Sequence, residues 1–307
     1  MYACSINNDI IQVIVIKIFK KKYIYYMLSC FLLLAPAIEF WQARADEAGV
    51  PMTVLEIDEG FPILILRWAG TNSSLNSIML NSHMDVVPAE DEWTYPPFSA
   101  YLDDDGVIWG RGTQDMKSVG FQYYEALRRL TENNVTLLRD VYMTLMPDEE
   151  IGSLHGMQKF VKSEAFANMN VGFEMDEGSP YNLPLVPLIY QDQALTFLKN
   201  ISYNQVQKGT YHCFYLLNLG FCSDLVVLPL AAPGATDGRF VRSVGIPAFG
   251  VSFMPNTEAL LHSVDERLSA ETFLYGIDVY AALLPELANI PANRTGDDPS
   301  VFVTKSN

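Results

Sequence analysis

Ser77-Ile78-Met79-Leu80-Asn81-Ser82-His83-Met84-Asp85 is the stretch that decides the fold. Consecutive apolar residues at its centre mark a strand buried on both faces, and the run ends directly on a histidine and an acid. Such strands belong inside parallel sheets, where sites form beyond the carboxyl ends. Pro62–Trp68, Val141–Met146, Val171–Met175 and Pro247–Ser252 read as further strands. Between them, Glu39–Gly49, Asp115–Asn133, Ser153–Lys162 and Ala270–Leu284 read as helices, the first stopped by its glycine. Pro88–Asp105 reads as a polar loop. This alternation predicts an α/β fold, a mostly parallel central sheet with helices on both faces.

The chemistry-bearing residues gather where those strands end. His83-Met84-Asp85 follows one strand, Pro147-Asp148-Glu149-Glu150 a second, and Asp176-Glu177-Gly178 a third. Gln114-Asp115-Met116-Lys117 stands where Gly110-Arg111-Gly112 enters a helix. Imidazole nitrogens and carboxylate oxygens are the donors zinc takes, and two histidines with three acids suit two ions. Asp115, favoured at a helix N-terminus, is the natural bridge between them. Asp85 is placed to orient the His83 imidazole through its other nitrogen. Glu149 and Glu150 are adjacent and diverge, so one can ligate while the other accepts a proton. Each fragment alone also reads as an ordinary turn; their joint occurrence after buried strands carries the argument.

Composition bounds the alternatives. The 307 residues carry 36 acids against 20 bases, a formal charge of −16, which excludes a phosphate-binding surface and hence nucleic acid. Cys4, Cys30, Cys213 and Cys222 are scattered without a CxxC and read as free thiols in a reducing, cytoplasmic compartment. Lys20-Lys21-Lys22, the apolar run Tyr23–Ile38 and the small residues Ala35-Pro36-Ala37 leave a signal or anchor open, and with it the secretory pathway. That run falls short of the ~20 residues of a transmembrane helix, so no membrane partner is expected. His155 reads as a structural helix residue, and no G-x-S-x-G elbow is present for serine chemistry.

Asn81–Pro88, Gly110–Lys117, Met146–Gly152, Phe173–Gly178 and Leu260–Leu268, in this order, resemble the aminoacylase-1 group of the zinc-dependent aminoacylase/carboxypeptidase/deacetylase metallopeptidase family. The resemblance covers roughly residues 36–190 and 229–291. It implies two zinc ions per chain, one held by His83, Asp115 and Asp176, the other by Asp115, Glu150 and His262. It implies catalytic roles for Asp85 and Glu149, with Glu149 as general base, and a role for Arg239, in Thr236-Asp237-Gly238-Arg239, at the substrate carboxylate. The implied reaction is hydrolysis of small N-acyl-L-amino acids to a carboxylate and a free amino acid. Related dipeptidase or N-deacylase activities belong to the same family.

The resemblance also has gaps. Residues 1–35 replace the family's opening helix, and only 191–227 stand where the family inserts a lid and dimerisation domain. The lid's Gly-His motif is absent, and His212 does not match it. The expected division is therefore an atypical segment 1–35, a catalytic domain 36–190 plus 228–291, a short remnant 191–227 and a disordered tail 292–307. The family's homodimer rests on the lid, which leaves both dimerisation and turnover open. A truncated, inactive or zinc-binding relative, or an imperfect gene model, is the alternative.

Overall fold

The computed structural model describes residues 31–89, 92–180, 189–190 and 235–291. The four cysteines, His212, the basic cluster at 20–22, the interval 191–227 and the tail 292–307 lie outside them. Among the described residues the first helix, α1, is Phe31–Ala48, followed by the strands β1 Met52–Glu56, β2 Pro62–Trp68 and β3 Ser77–His83. Short strands β4 Tyr101–Leu102 and β5 Val107–Trp109 precede α2, Lys117–Glu132. Then come β6 Val141–Met146, a single 3-10 turn at Glu149–Ile151, α3 Met157–Phe160, α4 Glu164–Asn168, β7 Val171–Asp176 and β8 Ile189–Tyr190. α5 Gly238–Ser243, β9 Ala248–Val251, β10 Arg267–Ser269 and α6 Ala270–Ala288 complete the order.

Among the described residues seven strands form the main sheet, in the order β1-β2-β6-β3-β7-β9-β8. Its centre, β6-β3-β7-β9, is parallel, and the outer pairings are antiparallel. The parallel centre is the sheet expected from the apolar strands, and antiparallel edges are common on such sheets. Strand pleating divides the core in two. Leu64, Leu66, Ile78, Leu80, Met143 and Leu145 pack with α1, α2 and α6 on one face. Ile63, Ile65, Met79 and Met146 pack with α3, α4 and α5 on the other. A fully buried Leu or Ile contributes about 1.5–3 kcal/mol, so this double burial dominates the stability of the sheet. A second, three-stranded antiparallel sheet, β10-β5-β4, takes β4 from the run expected to be loop, β5 from just after it and β10 from far along the chain. Among the described residues no helix is long and apolar enough to cross a membrane.

Helix limits differ from the sequence reading for local reasons. α1 begins before Glu39 because Leu34 and Ala37 are also buried against the core. α2 begins at Lys117 rather than Asp115, and the N–H groups of Gln114 and Asp115 just before it are held by Glu266. The expected helix from Ser153 shrinks to Met157–Phe160, and the loop before it is held by Asp148, whose carboxylate accepts from the N–H groups of His155 and Gly156.

Candidate metal centre

β3, β6 and β7 run side by side and in the same direction, so their carboxyl ends open into one crevice. His83 is the last residue of β3, opposite Met146 at the end of β6. It is buried, and its Nδ1 lies 2.8 Å from the backbone carbonyl of Asp85. A carbonyl only accepts, so Nδ1 carries a proton, and once the ring gives up its other proton Nε2 is the nitrogen free to ligate in the crevice. The sequence reading assigned this task to the Asp85 carboxylate. That carboxylate is 3.5 Å away and instead accepts from the N–H groups of Glu149 (3.1 Å) and Glu150 (3.0 Å). Asp85 thus orients the ring with its main chain and the Glu149–Ile151 turn with its side chain.

Asp115 joins the two histidines. One carboxylate oxygen lies 3.0 Å from His83 Nε2 and the other 3.0 Å from His262 Nε2. His262 also lies 3.0 Å from Glu150. Nε2 of His83 is 3.6 Å from Glu177 as well. Two overlapping groups, His83 with Asp115 and Glu150 and His83 with Glu149 and Glu177, have donor atoms close enough to hold an ion.

Asp176 behaves differently from the expectation that it ligates beside His83. Its carboxylate accepts from Asn81 Nδ2 (3.1 Å) and from the N–H of Gly238 (2.7 Å), on the side of α5. Successive residues at a strand end point to opposite faces, which sends Glu177 toward His83 and Asp176 away. Sequence reasoning missed Glu177; its only signal was adjacency to Asp176. Arg239, on α5, donates Nη2 to the carbonyl of Gly152 at 2.8 Å, immediately after the turn that carries Glu149 and Glu150. His155 stands apart, stacked on Phe61 and 2.7 Å from Asp58.

The protonation pattern has the form of a site built for cations. Burial lowers the His83 pKa, but Asp115, Asp85 and Glu177 outweigh it and hold the ring well above its ordinary value. Asp115 and Glu150 push His262 up to about 10. Burial would raise Asp115, yet the two imidazoles keep it below the usual carboxylate range. Glu149 is pushed up to about 8, chiefly by burial, with Asp237 and Asp176 adding to it. Glu177 is raised by burial and by the Asp115 charge. Without metal, imidazolium and carboxyl protons supply the positive charge this cluster of acids demands. The donor set is imidazole and carboxylate without thiolate, which fits zinc or a similar divalent ion.

Comparison with known proteins agrees with this geometry. Residues 79–187 match the model of peptidase family M20/M25/M40. Among solved structures, human carnosine dipeptidase 1 superposes with a TM-score of 0.63 at 10% identity, covering 92% of this chain and 97% of that one. A dinuclear metal-binding peptidase of the M20 family from Bacillus subtilis gives 0.59 at 13% identity, covering 91% and 99%. These two show a shared fold. Aminoacylase-1 of Dictyostelium discoideum is 28% identical, covering 82% of this chain and 92% of its own length. Aminoacylase-1 of Pongo abelii is 30% identical over 370 aligned positions, covering 83% of this chain and 91% of its own length. Sequence, fold and the clustered donors thus agree, and the chain belongs to the aminoacylase-1 group of peptidase family M20/M25/M40.

Proposed function

We propose that this chain is a zinc-dependent amidohydrolase that cleaves small N-acyl-L-amino acids to a carboxylate and a free L-amino acid. The observation that carries it is Asp115, whose two oxygens each stand 3.0 Å from a different imidazole. A carboxylate so shared is the bridge a two-ion site needs. His83, Asp115 and Glu177 would hold one ion, and Asp115, Glu150 and His262 the other. Glu177 takes the place that the resemblance gave to Asp176. Residues 36–190 with 228–291 form the catalytic domain in this reading.

When bound, the ions supply Lewis acidity to the scissile carbonyl and lower the pKa of water. The chain's own residues do the rest. Glu149 takes the proton of the attacking water and returns it to the leaving amine; burial raises its pKa toward the working pH, and cations in the crevice would favour the carboxylate that must accept. Asp85 fixes the backbone of that turn, so the base stays over the crevice. Arg239, anchored by Nη2 on the Gly152 carbonyl and lying over the Phe240 ring, would turn guanidinium donors to the substrate carboxylate.

A second reading is a metal-binding relative without turnover, favoured by length. The alignment with the Pongo abelii protein spans 370 positions against the 307 residues here, so part of that relative has no counterpart in this chain. Hydrolysis of N-acetyl-L-methionine by the zinc-loaded protein separates the two. The enzyme reading expects turnover that falls about 10²–10⁴-fold in Glu149→Gln. A wild type no faster than that variant would leave only the binding reading.

A further inference from the structure

Asp115 and His262 meet although they come from loops 147 positions apart. What registers the loops is an exchange of two buried side chains. Glu266, with no exposed surface, reaches from the His262 loop and takes four donors from the other. One oxygen accepts from Arg111 Nη1 (2.7 Å) and the N–H of Gly112 (2.9 Å). The second accepts from the N–H groups of Gln114 (2.6 Å) and Asp115 itself (3.2 Å). Gln114, equally buried, answers in the opposite direction. Its Nε2 donates to the carbonyls of Glu258 (3.0 Å) and Arg267 (2.8 Å), and its Oε1 accepts from the N–H of Leu260 (2.9 Å). The antiparallel pairing of β5 and β10 brings the two loops side by side, and the N–H of Gly110 donates to the carbonyl of Glu266 at 2.9 Å.

We infer that Glu266 and Gln114 are positioning residues that hold the Asp115 carboxylate at bridging distance from His262 and so set the affinity for the ion between them. Four backbone and guanidinium donors on one carboxylate leave Asp115 little freedom to swing. The three bonds of Gln114 bracket His262, two residues past Leu260, from both sides in sequence. Neither side chain touches the ion in this arrangement; both act through the ligands, as outer partners of metal sites do. The inference rests on the two-ion reading of the crevice.

Zinc titration of the full chain, followed calorimetrically and repeated with Co²⁺ by absorption, tests it on wild type and on Glu266→Gln. The variant keeps the side-chain volume but turns an NH₂ group toward N–H donors. Two ions are expected in wild type. In the variant the ion shared with His262 weakens about 10–100-fold with an altered Co²⁺ spectrum, and the ion at His83, which keeps the other Asp115 oxygen, weakens less. Gln114→Met is expected to give the same selective loss and serves if Glu266→Gln does not fold. Two ions held as in wild type, or both weakened equally alongside a lower Tm of the metal-free protein, overturn the inference and mark the clamp as general scaffolding. A wild type that binds no zinc takes down the two-ion reading itself.

Discussion

At the residue scale the crevice turns on neighbours that differ by one position. Glu177 faces His83 while Asp176 faces Asn81 and Gly238. Glu177→Gln is therefore expected to weaken zinc binding by at least about 10-fold, whereas Asp176→Asn keeps it within a few-fold; metal titration of both variants checks this. The histidines give a pH dependence whose sign follows from their partners. Asp115 and Glu150 push the His262 pKa up to about 10, so its imidazolium bonds stabilise the metal-free protein fully below about 6.5, and that contribution is lost as pH rises through about 10. A ligand must be neutral, so zinc entry expels these protons. Apparent zinc affinity is expected to rise from pH 6 to 9, with proton release measured in buffers of different ionisation enthalpy. An affinity flat across that range would contradict it. His83, Asp115, Glu149 and Glu150 stood out in sequence because each lies at or just past a strand end or just before a helix. Asp176 and Glu177 were not separable, since only the pleat and the position of α5 decide which one turns inward.

At the element scale the site depends on how closely α2 lies on β3. Gly120 of α2 packs against Ser82, the residue before His83: a Cβ at this position would stand 2.5 Å from Ser82 Oγ. Alanine gains about 1 kcal/mol of helix propensity over glycine, but overpacking a filled contact costs about 1–3 kcal/mol, and the second effect wins. Gly120→Ala is expected to lower stability in urea unfolding and to weaken zinc binding by displacing the end of β3. A stabilised variant would show that the contact has slack. Ser269 caps α6 through the N–H of Thr272, so Ser269→Ala is expected to cost about 1 kcal/mol without changing zinc affinity. Strands were legible because alternate faces of β2 and β3 are both apolar. Helix starts were less so, because the backbone just before α2 and α3 is held in loops by Glu266 and Asp148, contacts that no local period announces.

At the scale of the whole molecule, a two-sided apolar core carries a crevice crowded with acids on a chain of net charge −16. Divalent cations bound only by the folded chain stabilise it by about 2.7 kcal/mol at 100 times the dissociation constant. Chelation is therefore expected to lower Tm by several degrees in calorimetry, reversibly on adding zinc. The sandwich of helices on a sheet could be read from strand and helix periods alone, whereas pairing direction at the sheet edges could not, since it depends on turns rather than on side-chain pattern. In the proposed function, separate strand ends and loops build one cage for a pair of ions. Diffraction from crystals grown with zinc, measured at the zinc edge, tests it directly. Two anomalous peaks are predicted, one among His83, Asp115 and Glu177 and one among Asp115, Glu150 and His262. No peak in that crevice, or zinc bound only elsewhere, would contradict the account.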